Sequence, residues 1–165
     1  KRFAGGILQP SHYVEIRYRP SRQGGEDRLA TLEEAVLLDG FEKVRSDYDR
    51  LEVCFYILEI LLKTSQEGDS LSADLFHLAG HSLRALESAK NLKKIKMHFI
   101  LKILFQQGVL EPEKWMELYL KTPMAQHLEV IQNSEVTNKT SSEASWSDAH
   151  LFWAENKLKE YLPHR

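Results

Sequence analysis

The chain has 165 residues, 42% hydrophobic and 28% charged, with a formal net charge of -2 and one cysteine, which is room for one ordinary domain, or one and a fraction, that folds without covalent staples. No apolar run approaches the roughly 20 residues that cross a bilayer, and no charged start leads into a signal-type apolar segment. The lone Cys54 excludes an internal disulfide and a thiolate-rich zinc site within one chain, the cytoplasm is the default compartment, and any polyanion binding must rest on local clusters of basic residues.

Residues 1 to 40 carry strand patterns. Gly5-Gly6 before Ile7 fits a strand or its bulge. In Tyr13 to Arg19, Val14, Ile16 and Tyr18 alternate with Tyr13, Glu15, Arg17 and Arg19, the period of a strand with one wet face, and arginines line that face. Pro20 to Asp27 has turn composition, and Arg28 to Val36 resumes a strand, so the pair reads as a hairpin. A ribbon of two or three strands is marginal alone in water, so it packs on the helices or belongs to a sheet whose other strands lie outside this chain.

After Asp39-Gly40 the period becomes helical. Ser46-Asp47-Tyr48-Asp49 reads as a capping box opening a helix to about Lys63. Its Leu51, Cys54, Phe55, Leu58, Leu61 and Leu62 share one arc, widened by Val53, Ile57 and Ile60, leaving Asp49, Glu52, Tyr56 and Glu59 as a narrow polar strip, so the helix is expected to be central and mostly buried. A second helix spans 72–87 with Leu75, Leu78, Ala79, Leu83 and Leu86 inward. A third spans 91–105 and stops near Gly108, and Pro112 suits the start of a fourth over 113–121. The polar, aperiodic text around 131–146 reads as a flexible loop, and Ser147 caps a last amphipathic helix over 148–162.

His77 and His81 stand at i, i+4, the spacing of a zinc pair, but Leu78 occupies the place of the protease glutamate and no third ligand is evident, which favours ordinary histidines. Cys54 lies on an apolar arc and reads as core packing. With no nucleophile elbow or phosphate-cradling glycine loop, catalysis is not indicated. The third helix is more distinctive. Lys90, Lys94, His98 and Lys102 step by four along one ridge, Lys93 and Lys96 lie beside it, and no acidic residue occurs between Glu87 and Glu111. Such a ridge beside an apolar seam suits an acidic peptide with hydrophobic side chains, or a phosphate backbone; its bland alternative is the solvated edge of a buried helix. At the other end Lys1, Arg2, Arg17, Arg19 and Arg22, interleaved with Phe3 and Tyr13, suit a backbone-tracking nucleic-acid platform, or serve edge protection and solubility.

The order of features carries a resemblance: Lys-Arg-Phe-Ala-Gly-Gly-Ile-Leu-Gln-Pro at 1–10, then Tyr-Val-Glu-Ile, then Leu-Ala-Thr-Leu-Glu-Glu-Ala at 29–35, leading into Gly40-Phe41 and a leucine-rich helix with Tyr56-Ile57-Leu58-Glu59. Over residues 1–108 this resembles the RecO family of bacterial recombination mediators, read from the later strands of an N-terminal OB-fold into a helical domain. The resemblance implies an N-terminally truncated chain without cofactor, cytoplasmic and nucleoid-associated. It also implies binding and annealing of single- and double-stranded DNA, and work alongside RecR and single-stranded-DNA-binding protein. The family's pocket for the acidic, Phe-ended tail of that binding protein maps near the third helix, with Lys94 and Lys96 the matching basic positions. The family's four-cysteine zinc module has no counterpart, because 109–123 holds no cysteine.

The expectation is therefore an α+β chain with a partial OB-fold over 1–40 and a helical domain over 41–165. Its function is non-catalytic DNA binding in recombinational repair. Lys1, Arg2, Arg17, Arg19 and Arg22 are the candidate nucleic-acid residues, and Lys90, Lys94, Lys96 and Lys102 the candidates for docking the partner's tail. The alternative is a helical protein-interaction module that never meets nucleic acid.

Overall fold

The computed structural model describes residues 5–20, 30–65, 72–132 and 147–162. The chain divides into two compact units, one through Glu42 and one from Lys43.

The first unit is a two-stranded antiparallel sheet of β1 (Tyr13–Arg19) and β2 (Thr31–Asp39). Arg17 stands opposite Glu34, Ile16 opposite Ala35, and Val14 opposite Leu37, with register shifts between Tyr13 and Val14 and between Arg17 and Tyr18. The second shift passes over Glu33, so Leu32 rather than Glu33 faces Tyr18. One extra residue thus keeps Val14, Ile16, Tyr18, Leu37, Ala35 and Leu32 on a single face, since a slip of one residue would otherwise invert the alternation. β2 runs on to Asp39, past the expected end at Val36, because Leu37 and Asp39 find partners in Val14 and Tyr13. Among the described residues the sheet has these two strands and is not a closed barrel.

The second unit is helical. After α1 (Glu42–Arg45), α2 (Tyr48–Thr64) is capped by Asp47, whose Oδ1 accepts from Arg50 N at 3.1 Å. The cap falls one residue beyond the expected Ser46, whose hydroxyl donates instead to Lys43 O. Arg50 then reaches across to the carbonyls of Leu86 and Ala89, closing the orphan end of α3 (Ser72–Leu86). In α3 the five residues expected inward, Leu75, Leu78, Ala79, Leu83 and Leu86, are all buried.

The centre of the unit is α4 (Leu92–Gln106), which contacts α2, α3, α5 (Glu117–Lys121) and α6 (Asp148–Tyr161). Asn91 caps it through Lys94 N, and Gly108 ends it with a left-handed φ of 68°. Val109 N bonds to Leu104 O at 3.0 Å, the six-to-one bond that lets a C-terminal glycine satisfy the last turn. Nine of its side chains are buried, on every side of the helix, as a helix enclosed by neighbours requires. Beyond Pro112 the chain forms a 3-10 turn (Lys114–Met116), α5, a second 3-10 turn (Met124–Gln126) and a π-helical turn (His127–Gln132). The expected fourth helix is thus shorter and tighter than its pattern. The loop expected around 131–146 lies almost wholly outside the described residues. α6 is capped as its sequence implies: Ser147 N donates to His150 Nδ1 at 3.1 Å. His150 also stacks on Trp115, at 4.3 Å between ring centroids, with Trp153 edge-on to the same indole.

The expected arc of α2 is corrected. The buried side chains of this helix are Cys54 from the expected arc, Ile57 and Ile60 from its widened flank, and Thr64, whereas Phe55 is 48% and Leu62 80% exposed. A helix apolar on nearly every side leaves the choice of inward face to its neighbours. Burial pushes the Cys54 thiol up to about 11, partly offset by the nearby Arg45 charge, so it is an unreactive core group.

Candidate functional site

The basic ridge of α4 does not stand open along its length. Lys94 is 1% exposed and its Nζ donates to Ile131 O; one turn on, His98 Nε2 donates to Thr122 O at 3.0 Å; one turn further, Lys102 Nζ donates to Leu120 O at 2.7 Å. Three side chains at a spacing of four thus hold three carbonyls of the segment 120–131, which wraps over them. The irregular turns of that segment leave carbonyls without helical partners, and a buried carbonyl needs a donor. Desolvation lowers the pKa of Lys102 from its ordinary value. Lys96 points away from this seam, pairing with Glu155 and placing its ammonium 4.0 Å from the centre of the Tyr56 ring. Lys90 remains exposed, its backbone N–H bonded to Gln132 Oε1, and Lys93 bridges to Asp148 at 3.0 Å.

Beneath the wrapped segment lies a histidine pair. His98 Nδ1 and His127 Nδ1 are 2.9 Å apart, and Gln132 Nε2 lies 3.4 Å from His127 Nε2. A carbonyl only accepts, so the contact to Thr122 O places the proton of His98 on Nε2 and leaves its Nδ1 as acceptor. His127 must then donate from Nδ1 and accept from the Gln132 amide at Nε2. Only two neutral rings satisfy this chain of bonds. Burial, first, and then the facing His127 and the Lys102 charge push His98 down to about 3, against a smaller opposite pull from the backbone carbonyls of Thr122 and Tyr119. Burial and the Lys94 charge push His127 down to about 4. Sequence reasoning missed His127 and Gln132, which have no periodicity; their partners on α4 carried the only signal, in the step from Lys94 to His98 to Lys102.

On the β-hairpin, Arg17 and Arg19 share one face as their alternation requires. Arg17 pairs with Glu34 across the strands at 3.2 Å, and Arg19 pairs with Glu33, the residue displaced by the bulge. Lys1, Arg2 and Arg22 lie outside the described residues, so these two arginines are the described members of the N-terminal cluster. His77 borders a cleft of about 560 Å³ with Leu61, Ser65, Ala73 and Phe76. No metal-binding cluster of three or more His, Cys, Asp or Glu occurs among the described residues, and no described helix is long and apolar enough to cross a membrane.

Residues 45–110, from the end of α1 through α4, match the family described as "Recombination protein O C terminal". The chain is 31% identical over 110 residues to the DNA repair protein RecO of Syntrophobacter fumaroxidans, a match covering 67% of this chain and 41% of that protein. Through this helical core the chain belongs to the RecO family. The match spans about two fifths of the length of that curated relative. No solved structure matches it.

Proposed function

We propose that the chain serves recombinational DNA repair as a non-catalytic mediator that holds single-stranded DNA for annealing or loading, with duplex DNA as a further ligand. The match of its central helices to a family of DNA repair proteins carries the reading. In this reading the hairpin is part of an OB-type sheet, and Arg17 and Arg19, with Lys1, Arg2 and Arg22, meet the phosphates. Cross-strand ion pairs at exposed sites contribute only about 0–1 kcal/mol, so Glu33 and Glu34 yield these arginines to a phosphate at small cost. RecR and single-stranded-DNA-binding protein are the proposed protein partners. The acidic tail of the latter engages the basic edge of α4: Lys90 and Lys96 are the side chains it meets, while Lys94 and Lys102 support the edge from beneath through their carbonyl bonds.

Titration of labelled single-stranded DNA at several salt concentrations tests the DNA contact. Affinity falls as salt rises, with a log-log slope of about -0.7 per phosphate contact. Arg17→Ala with Arg19→Ala weakens binding and makes that slope shallower by about 1.4. Salt-independent binding, or none, overturns the reading. For the tail, Lys90→Glu with Lys96→Glu abolishes binding of an acidic Phe-ended peptide, and unchanged affinity removes that part alone. The second reading, a protein-interaction module without nucleic acid, is favoured by one observation: both described arginines already hold carboxylates.

A further inference from the structure

The solvent side of α2 carries a second apolar face that the described residues of the second unit leave largely exposed. Tyr48, Leu51, Phe55, Leu58 and Leu62 repeat at spacings of three and four, the a and d positions of two and a half heptads, from the first turn of the helix to the last. They lie within about 80° of one another around the helix axis, away from Cys54, Ile57, Ile60 and Thr64, which fill the core. Tyr48 and Leu62 are each 80% exposed, Phe55 nearly half, and Leu51 and Leu58 are partly covered. On the solvent side of the helix the apolar residues follow a and d, the pattern of a helix that pairs with one other helix. Aromatic and leucine side chains aligned along about 21 Å of helix, three of them exposed and two partly covered, are also more than scattered surface apolarity.

Charge identifies the occupant. The rim of the stripe carries Glu52 and Glu59, both exposed, with Asp49 further round the polar strip and Lys63 bonded to Glu59. The opposite rim offers no cation to a partner. Arg50, the only basic group on that side, is turned inward onto Asp47 and the carbonyls of Leu86 and Ala89. A second copy of this chain is excluded on the same grounds. Antiparallel pairing sets the Glu52 and Glu59 rims of the two copies against each other, and parallel pairing sets them against Asp47, Cys54 and Leu61, with no ion pair in either case. Nucleic acid is repelled by the same carboxylates.

We propose that α2 docks an amphipathic helix of another protein, one with an apolar a/d seam and lysine or arginine at the positions facing Glu52 and Glu59. This surface is independent of the DNA reading, because it uses none of the proposed phosphate contacts. The test is an anisotropy titration of the full chain with two labelled three-heptad peptides, each with leucine at a and d, one with lysine and the other with glutamate at the flanking positions. The lysine peptide binds tighter, by about tenfold, because flanking charges set partner choice in helix pairing. Phe55→Ser with Leu62→Ser removes this binding while the circular dichroism of the chain is kept. Glu52→Lys with Glu59→Lys, which changes only exposed carboxylates, inverts the preference toward the glutamate peptide. Equal binding of the two peptides, binding of neither, or binding that survives the serine substitutions overturns the proposal. So does sedimentation showing a dimer of the chain that those substitutions dissolve.

Discussion

His98 and His127 illustrate how one buried contact dictates protonation. Their Nδ1 atoms face each other at 2.9 Å, and the outer nitrogen of His98 is bound to a carbonyl. A third proton on the pair would set two N–H groups head to head. Both folded-state values, about 3 and about 4, lie below the ordinary 6.5. Between those limits the unfolded chain binds more protons than the folded one. Stability is thus unaffected by the pair above pH 6.5 and falls as pH drops from 6.5 toward 4, by up to about 1.4 kcal/mol per pH unit for each ring. Urea midpoints measured from pH 8 to pH 4 check this, and His98→Gln with His127→Gln flattens the acid limb; an equally steep limb in the double variant would contradict the assignment. Lys94 is the companion case. Replacing it with methionine keeps the aliphatic stem but leaves Ile131 O without that donor, a loss of about 1–3 kcal/mol in urea denaturation. No change in midpoint would mean that the lysine contributes nothing to holding the wrapped segment.

At the scale of elements, α2 and the hairpin separate what local pattern can specify from what it cannot. The ends of α2 and α4 follow from Asp47, Asn91 and Gly108, because a cap is made within one turn of the residue that makes it. The sharing of a face by Arg17 and Arg19 follows from strand alternation. The bulge that brings Glu33 to Arg19 does not, since it depends on which residue the partner strand presents. In α2 the apolar residues cover so much of the wheel that the pattern is consistent with several inward faces. A pair of substitutions reads out the face actually used. Ile57→Ala, at 0% exposure, costs about 2–5 kcal/mol as a core truncation, whereas Leu62→Ser, one and a half turns away on the solvent side, stays within about 0.5 kcal/mol. Thermal denaturation of the two variants measures the difference; comparable losses would place Leu62 in a packed interface of the isolated chain.

For the whole molecule, α4 is the element against which α2, α3, α5 and α6 pack, and Ile100, near its middle, is fully buried. Ile100→Ala lowers the stability of that unit by about 2–5 kcal/mol. Tryptophan fluorescence reports the loss without interference from the hairpin, because Trp115, Trp146 and Trp153 all lie beyond Lys43. An unshifted fluorescence transition would show that α4 is not the centre of the cooperative core. The salt slope of DNA binding belongs to this scale too, since a chain with a net charge of -2 attracts a polyanion only where its cations are gathered. The sequence by itself determined that strands precede helices, where the helix ends fall to within a residue, and the kinship with RecO, because each is written in neighbouring residues or in their order. Only the tertiary structure decided that the lysine and histidine ridge of α4 turns inward to hold the carbonyls of 120–131, and that the leucine stripe of α2 turns outward. Periodicity shows that a helix has a face; what that face meets is settled by segments far away in the chain.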